Sequence, residues 1–533
     1  VTNATDTRAV TPPGAWSPFR HSAFTLLWFA TLVSNIGTWM HDVGAGWLMT
    51  ELSPSPFVVA AVQAATTLPI FLFALPAGAL ADIVDRRRLL IAVNLFLGCV
   101  AALLAFLVSR DAVTPMLLLS ITFVMGTGVA IMAPAWQAVV PQLVPREELT
   151  SAVALNSMGI NISRAIGPAL AGFLIVAYGM AVPFVLNAVS IIGIVIALLW
   201  WRAPEAKQSR LPAETLVPAM ISGVRYTLHS RPVKSTLLRA AAFFVFGSAF
   251  WALLPLIARN VLAGGASLYG ILLGCLGAGA VAGAVFLPQV KSQVGADGAV
   301  MLGTVGLSTV MVLIALVPDS YVAAGCAVVA GISWIAVMST LNVSAQTALP
   351  NWVRARGLSI FLMVFYGSMT AGSLLWGHLA THVGIPAALV TAAAGALVAL
   401  LITRGIKLSQ GESMDLTPSM HWPEPVIDPG HETDRGPVMI QIVYDIEADD
   451  RGRFVELMGQ LAQARRRNGA FGWSLMEDLS IPNRFVETWQ EASWLQHMRH
   501  HEHVSADDRA VQQQIWKLNR SGEASATHFM SVT

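Results

Sequence analysis

Charge is what this sequence has least of. Only 12% of its 533 residues are Asp, Glu, Lys or Arg, 55% are hydrophobic, and the mean hydropathy is +0.63. A soluble domain carries about a quarter charged residues, so composition excludes an ordinary water-dissolved globule. Cysteine is scarce as well. Cys99, Cys275 and Cys326 lie in apolar runs at no metal-ligand spacing, which argues against a disulfide framework and for small packing residues. Nothing resembles a phosphate-cradling P-loop, so nucleotide hydrolysis within this chain is not expected. The opening VTNATDTRAVTPPGAW has no apolar core behind a basic start and reads as a short flexible tail rather than a cleaved signal.

Apolar runs of about twenty residues are abundant, each long enough to cross a hydrocarbon core of about 30 Å. They predict an all-α polytopic membrane protein with twelve transmembrane helices in two six-helix bundles. The expected divisions are a tail over 1–21, a first bundle over 22–201, a central loop over 202–237 and a second bundle over 238–404. A linker over 405–437 and a small α+β domain over 438–533 complete the chain. Composition supports the last division. Residues 1–411 hold 21 Lys+Arg and 12 Asp+Glu, whereas residues 412–533 hold 11 and 19; the halves of this split obey different rules.

Basic residues set the expected orientation. Arg86, Arg87, Arg88, Arg146, the cluster from Arg202 to Lys234, Lys291, Arg354, Arg356, Arg404 and Lys407 fall in alternate loops, against Arg110 and Arg259 on the other side. Basic loops stay in the cytoplasm during insertion, so both termini are expected inside, in an inner (plasma) membrane. Within the central loop, LVPAMISGVRYTLHS predicts an amphipathic helix at the membrane surface. Gln137, Pro141, Val144 and Leu149 recur 209 positions later as Gln346, Pro350, Val353 and Leu358. That register fits a duplicated bundle with a binding site between its halves.

The turn GALADIVDRRRLL, residues 78–90, crowds five ionisable groups between two apolar runs. It resembles the Gly-x-Leu-Ala-Asp-x-x-Gly-Arg-Arg/Lys signature of the major facilitator superfamily. Gly78, Asp82, Arg86 and Arg87 are in register; Asp85 stands where the signature has glycine. The residues allow two readings. The arginines hold the loop inside, and Asp82 latches onto the N-terminus of the helix near Arg356, a helix-end contact of roughly 0.3–2 kcal/mol. Gly78 is expected to admit close approach of a second backbone.

Two ionic residues stand out within the spans, Asp42 and Arg164. A charge inside a membrane is a functional hypothesis by default. With Asn35, His41, Asn156 and Asn161 they are expected to line a polar central cavity, Asp42 or His41 being the protonation site; a structural ion pair, or snorkelling of Asp42 to the interface, is the alternative. SRAIGPALAG, residues 163–172, resembles the exporter signature of the superfamily through Gly167, Pro168 and Gly172. Thr122 stands nearest to the arginine that drug–proton antiporters carry on their fourth helix. APAWQAVVPQLVPREELTSAVALNS and NISRAIGPALAGFL are similar to the branch that includes the enterobactin (siderophore) exporters. Trp39, Trp136, Phe243, Phe244, Phe250, Trp251, Phe365 and Tyr366 are candidate aromatic walls or packing residues.

The acidic tail reads as strand, helix, two strands, helix and strand, a ferredoxin-like order. It resembles the antibiotic biosynthesis monooxygenase-like domains, which pair into dimeric barrels. His497 and His501 share a helical face, but a third ligand is not evident, so solvated histidines and no metal or cofactor are expected. The resulting expectation is a secondary transporter, not an enzyme, that exports a small amphipathic molecule (siderophore, drug or other metabolite) by alternating access, driven by protons. Its expected partners are that substrate, protons, the lipid bilayer and a second copy through the tail; no nucleic acid is expected. The alternative is a membrane-anchored oxygenase or ligand-binding protein whose tail carries the activity.

Overall fold

A computed structural model of the chain describes residues 14–201, 216–410, 415–419, 422 and 435–531. The expected flexible tail up to residue 13, the basic residues Arg202, Lys207 and Arg210, and most of the linker lie outside the described residues.

Among the described residues, twelve α-helices precede the sheet. They are α1 (Ser22–Leu52), α2 (Pro56–Ile83), α3 (Arg86–Ser109), α4 (Pro115–Val139), α5 (Leu149–Tyr178) and α6 (Val182–Trp200). Then come α7 (Leu216–His229), α8 (Arg231–Leu256), α9 (Ala266–Leu316), α10 (Ser320–Thr347), α11 (Arg354–Val383) and α12 (Ile385–Thr403). Eleven, all but α7, are long and apolar enough to cross a membrane. Their starts follow ordinary rules. Proline occupies the first turn of α2, α4, α6 and α12, where its missing N–H costs nothing. Thr114 and Asp85 cap α4 and α3 by accepting from the amides of Leu117 and Arg88.

The 51 residues of α9 would stretch about 76 Å as one rod. They do not form one, because Gly295 breaks the helix at φ 70° and ψ −176°. That backbone region is essentially reserved for glycine. The break falls beyond Lys291, one of the basic residues expected in a loop.

The chain divides into two compact units. The first comprises the described residues up to 201, Ala240–Ser339 and Leu362–Arg404. The second comprises the described residues from 216 to Arg239, Thr340–Phe361 and those from Gly405 on.

Within the first unit, helices approach closely at small residues. Gly126 of α4 lies against the Thr66 carbonyl and Pro69 of α2, and Gly331 of α10 against Leu276 and Ala280 of α9. Without a hydrophobic force between helices in lipid, such close packing is what holds them.

The second unit carries a four-stranded antiparallel sheet. Its strands are β1 (Val438–Asp445), β2 (Phe471–Glu477), β3 (Arg484–Glu491) and β4 (Ala526–Met530), in the order β2-β3-β1-β4. Helices α13 (Arg451–Asn468), α14 (Trp494–His503) and α15 (Ala506–Leu518) connect them. Alternate residues of β1 and β3 are buried, Ile440 opposite Trp489 and Tyr444 opposite Phe485, packing with Phe454, Met458 and Leu461 of α13. One expected helical stretch is two helices. Ser505 and Asp508 close a reciprocal capping box that starts α15.

Candidate functional site

Arg164 is held midway along α5. Its guanidinium lies 5.7 Å from the ring centroid of Trp39 on α1 and within electrostatic reach of Tyr366 on α11. A cation over an indole face is stabilised by the ring quadrupole. No hydrogen bond reaches its buried Nε. Asn35, Trp39 and Asp42 recur at helical spacing on α1, and Asp42 lies within reach of Tyr269 on α9. Asn156 and Asn161 are half-buried on α5 beside Arg164, and the Asn161 amide donates to the Ser157 carbonyl at 2.9 Å. His41 is turned elsewhere. It is 2% exposed, packs edge-on against Phe184 of α6 at 5.0 Å, and both ring nitrogens lack a hydrogen-bond partner.

The aromatic candidates separate. Phe243, Phe244 and Trp251 of α8 meet Trp334 of α10 and Phe365 of α11 at centroid distances of 4.5–5.7 Å. Phe243, Phe244, Phe250, Trp334 and Phe365 are buried, which makes this group packing more than wall. Tyr366 borders it, 4.6 Å from Phe365, and so links the cluster to Arg164. Trp334 and Tyr269 were not singled out from sequence, because an apolar aromatic in a span carries no local signal of its neighbours. Arg239 was missed too. It is 4% exposed in α8, and its position at the edge of an apolar run concealed it among loop arginines.

The exporter-like stretch is where α5 touches other helices. A Cβ on Gly167 would fall 2.6 Å from that of Trp39 on α1; one on Gly172 would fall 2.8 Å from the Ala266 carbonyl oxygen of α9. Gly270 answers Gly172, its own Cβ position lying 2.6 Å from the Pro168 carbonyl oxygen. Further contacts gather at this end of the bundle. Arg259 donates to the Thr50 carbonyl, Trp47 stacks on Tyr269 at 6.2 Å, and the Phe57 amide donates to Thr381 at 3.2 Å.

The charged turn at 78–90 departs from expectation at Gly78. Among the described residues, nothing lies within 4 Å of where a Cβ on Gly78 would sit, so none of them uses that glycine for close approach. Asp85 serves as the N-cap of α3, accepting from the Arg88 amide at 2.8 Å. Arg87 donates to the carbonyls of Leu198 and Leu199 at 2.7 and 2.6 Å. A cation on the last carbonyls of α6 satisfies acceptors the helix itself cannot. The side chain of Asp82 lies outside what the structure describes.

A family profile described as "Transmembrane secretion effector" (MFS_3) matches residues 13–532. The chain belongs to that family. It is similar to the staphyloferrin A transporter of Staphylococcus aureus, 25% identical over 363 residues, 66% of this chain and 87% of that protein. The multidrug efflux pump Tap of Mycobacterium tuberculosis is 26% identical over 424 residues, 76% and 98% of the two chains. The enterobactin exporter EntS of Escherichia coli is 23% identical over 325 residues, 60% and 76%. Among solved structures, an inward-facing, occupied bacterial homolog of the human lysosomal transporter Spinster aligns with TM-score 0.56 and 16% identity. That alignment covers 73% of this chain and 96% of that one. The nucleoside transporter NupG aligns at 0.54 and 12%, covering 72% and 99%; both likenesses show the fold. This family member is a transporter that exports small molecules, and it is not an enzyme.

In the second unit the exporter buries its histidines rather than solvating them. His497 and His500 are each 1% exposed and both bond Glu491 of β3 through Nδ1, at 3.1 and 2.6 Å. Burial pushes the Glu491 carboxyl up, but the His500 charge and the two histidine bonds outweigh it and hold the group below the usual carboxylate range. His501 and His528 each approach His497 Nε2, at 3.1 and 3.0 Å. Among the described residues no cluster has metal-holding geometry.

Proposed function

We propose that the chain is a twelve-span secondary transporter that exports a small amphipathic molecule, siderophore-like or drug-like, by alternating access. Gly295 then separates two spans within α9, giving two six-helix halves with both termini cytoplasmic in the inner membrane. The observation that carries this reading is Arg164, a charged group midway along a span, beneath Trp39 of one half and near Tyr366 of the other. An anionic or polar substrate entering between the halves meets this cation at the depth where alternating access needs a binding site. Asp42 is the proposed proton-linked partner one turn along α1, with Asn35, Asn156 and Asn161 on the same polar surface. Contacts at the ends of α1, α8 and the start of α9 support a form closed on the outer side.

In this reading the turn at Asp82 to Arg87 lies on the cytoplasmic rim, with Asp82 as a latch. The tail is a ferredoxin-like domain related to the monooxygenase-like group and serves binding or dimerisation, while the exposed Ile221, Val224 and Leu228 of α7 lie on the membrane surface. The relatives' names suggest iron-chelating and drug-like cargo. The test compares extracts and media of cells with and without the gene. A metabolite that accumulates inside when the gene is deleted, and inside equally with Arg164→Gln, supports the reading. Unchanged efflux with correctly inserted Arg164→Gln protein refutes it.

A further inference from the structure

The described part of the linker lies along the tail, and one of its side chains is seated in a pocket there. The Ser419 amide donates to the Val504 carbonyl at 2.8 Å, and the amides of Ala506 and Asp507 donate back to the carbonyls of Thr417 and Asp415 at 2.9 and 3.1 Å. Residues 415–419 are thereby strapped across the junction of α14 and α15. Three positions on, the indole of Trp422 lies 4.8 Å from the Arg465 guanidinium of α13, with the rings of His500 and His501 of α14 at 5.2 and 4.8 Å. Its Nε1 donates to Gln512 Oε1 of α15 at 3.0 Å.

The walls of this pocket are fixed without the indole. Arg465 lies 4.0 Å from the ring centroid of Trp489 on β3, and its Nε donates to Glu487 of the same strand at 3.3 Å. Glu487 is held in turn by the Tyr444 hydroxyl and the Trp473 indole, both donating at 2.9 Å. His500 is anchored through Nδ1 to Glu491 at 2.6 Å. A site whose walls are held by their own bonds loses little freedom when an occupant arrives, and so binds more tightly for the same contacts.

The occupant differs from its walls. Trp422 is half-buried and comes from the linker, whereas Arg465, Trp489 and His500 belong to the sheet and its helices and are each 1% exposed. The pocket reads two features of a ring. One is an electron-rich face laid against a guanidinium, an attraction that strengthens when the pair is withdrawn from water. The other is a single donor at the ring edge, met by an amide oxygen. Neither feature is peculiar to a tryptophan of this chain.

We propose that the pocket of Arg465, Trp489, His500, His501 and Gln512 binds a small electron-rich aromatic molecule carrying an N–H or O–H donor, an indole or a phenol, and that Trp422 is a displaceable plug in it. The inference deepens the reading of the tail as a binding module and rests on it. Ligand and linker ring exclude each other, so the tail senses the molecule by exchanging it for Trp422. The plug is tethered and competes from within the chain at high effective concentration. With the pocket plugged in more than nine molecules of ten, apparent affinity for a free ligand falls more than tenfold below that of the open pocket.

The test uses the full chain in nanodiscs, titrated with N-acetyltryptophanamide and followed by saturation-transfer NMR, with empty nanodiscs as background. Trp422→Ala is expected to bind the probe at one site at least tenfold more tightly than the wild type. Trp422→Phe, which keeps a ring and loses the donor, guards against misfolding and is expected to fall between. Gln512→Met, added to Trp422→Ala, is expected to weaken the probe at least threefold, which places the site in the tail and not among the membrane helices. The readout is binding and not efflux, so it fails separately from the Arg164 test. Equal affinity in the wild type and Trp422→Ala, no binding by either Trp422 variant, or indifference to Gln512→Met overturns the proposal.

Discussion

Gly270→Ala tests how α5 and α9 meet. The added methyl would lie 2.6 Å from the Pro168 carbonyl oxygen and 2.9 Å from the Gly172 Cα. Both obstacles are backbone of α5, which cannot rotate aside as a side chain does. Overpacking of this kind costs about 1–3 kcal/mol. If the α5–α9 contact belongs to one transport state only, the whole penalty falls on that state. The balance between states then moves by about 5- to 140-fold, at about 1.4 kcal/mol per tenfold. The assay is maleimide labelling of a cysteine placed at Met49, a buried position on α1 at the same end, in protein reconstituted with Cys99, Cys275 and Cys326 replaced. Labelling is expected to accelerate in Gly270→Ala. Gly193→Ala, whose Cβ meets nothing within 4 Å, should leave it unchanged. Equal labelling and full transport in Gly270→Ala would refute the claim that this contact distinguishes the states.

Three further outcomes follow from the geometry. Arg87→Ala removes two bonds to the carbonyls ending α6; with partial exposure discounted, the loss is about 1 kcal/mol, read as a lower melting temperature that Arg87→Lys restores only in part. Gly295→Ala forces a side chain into a backbone region reserved for glycine at a cost of about 1–3 kcal/mol, read as reduced yield of folded protein in detergent. Acidification should loosen the second unit. Burial leads in holding His501 near 3 and His528 near 4, aided by the His497 charge, and His503 near 3, all below the ordinary 6.5. The unfolded chain therefore binds more protons as pH falls through 6.5 towards 4, and stability is lost across that window. Limited proteolysis of the full chain should show α13–β4 cut faster at pH 5 than at pH 7; equal rates would refute the assignment.

Much of this architecture was legible in the residues. Hydropathy located the long helices, and Lys291, expected in a loop, stands four residues before the break at Gly295 inside α9. Alternation along VMIQIVYD and RFVETWQE gave β1 and β3 their buried faces. The burial of His497 and His500 was not legible. Their partner Glu491 sits on a preceding strand, and helical periodicity alone cannot reveal what lies across from a helix. The motif glycines divide instructively. Gly172 and Gly270 meet across a helix crossing, while Gly78 meets nothing among the described residues, and sequence spacing does not distinguish an occupied glycine from a vacant one. The seat of α7 was also hidden, since Arg225 and Gly469 lie 244 positions apart.

That last pairing has an evolutionary corollary. Tyr226 from the middle of the chain shares a core with Val233, Leu349 and Val353, while Arg467 near the chain's end covers its ring. A tail moved to another permease without α7 would leave Arg467 without this ring and the Gly469 carbonyl without its Arg225 donor.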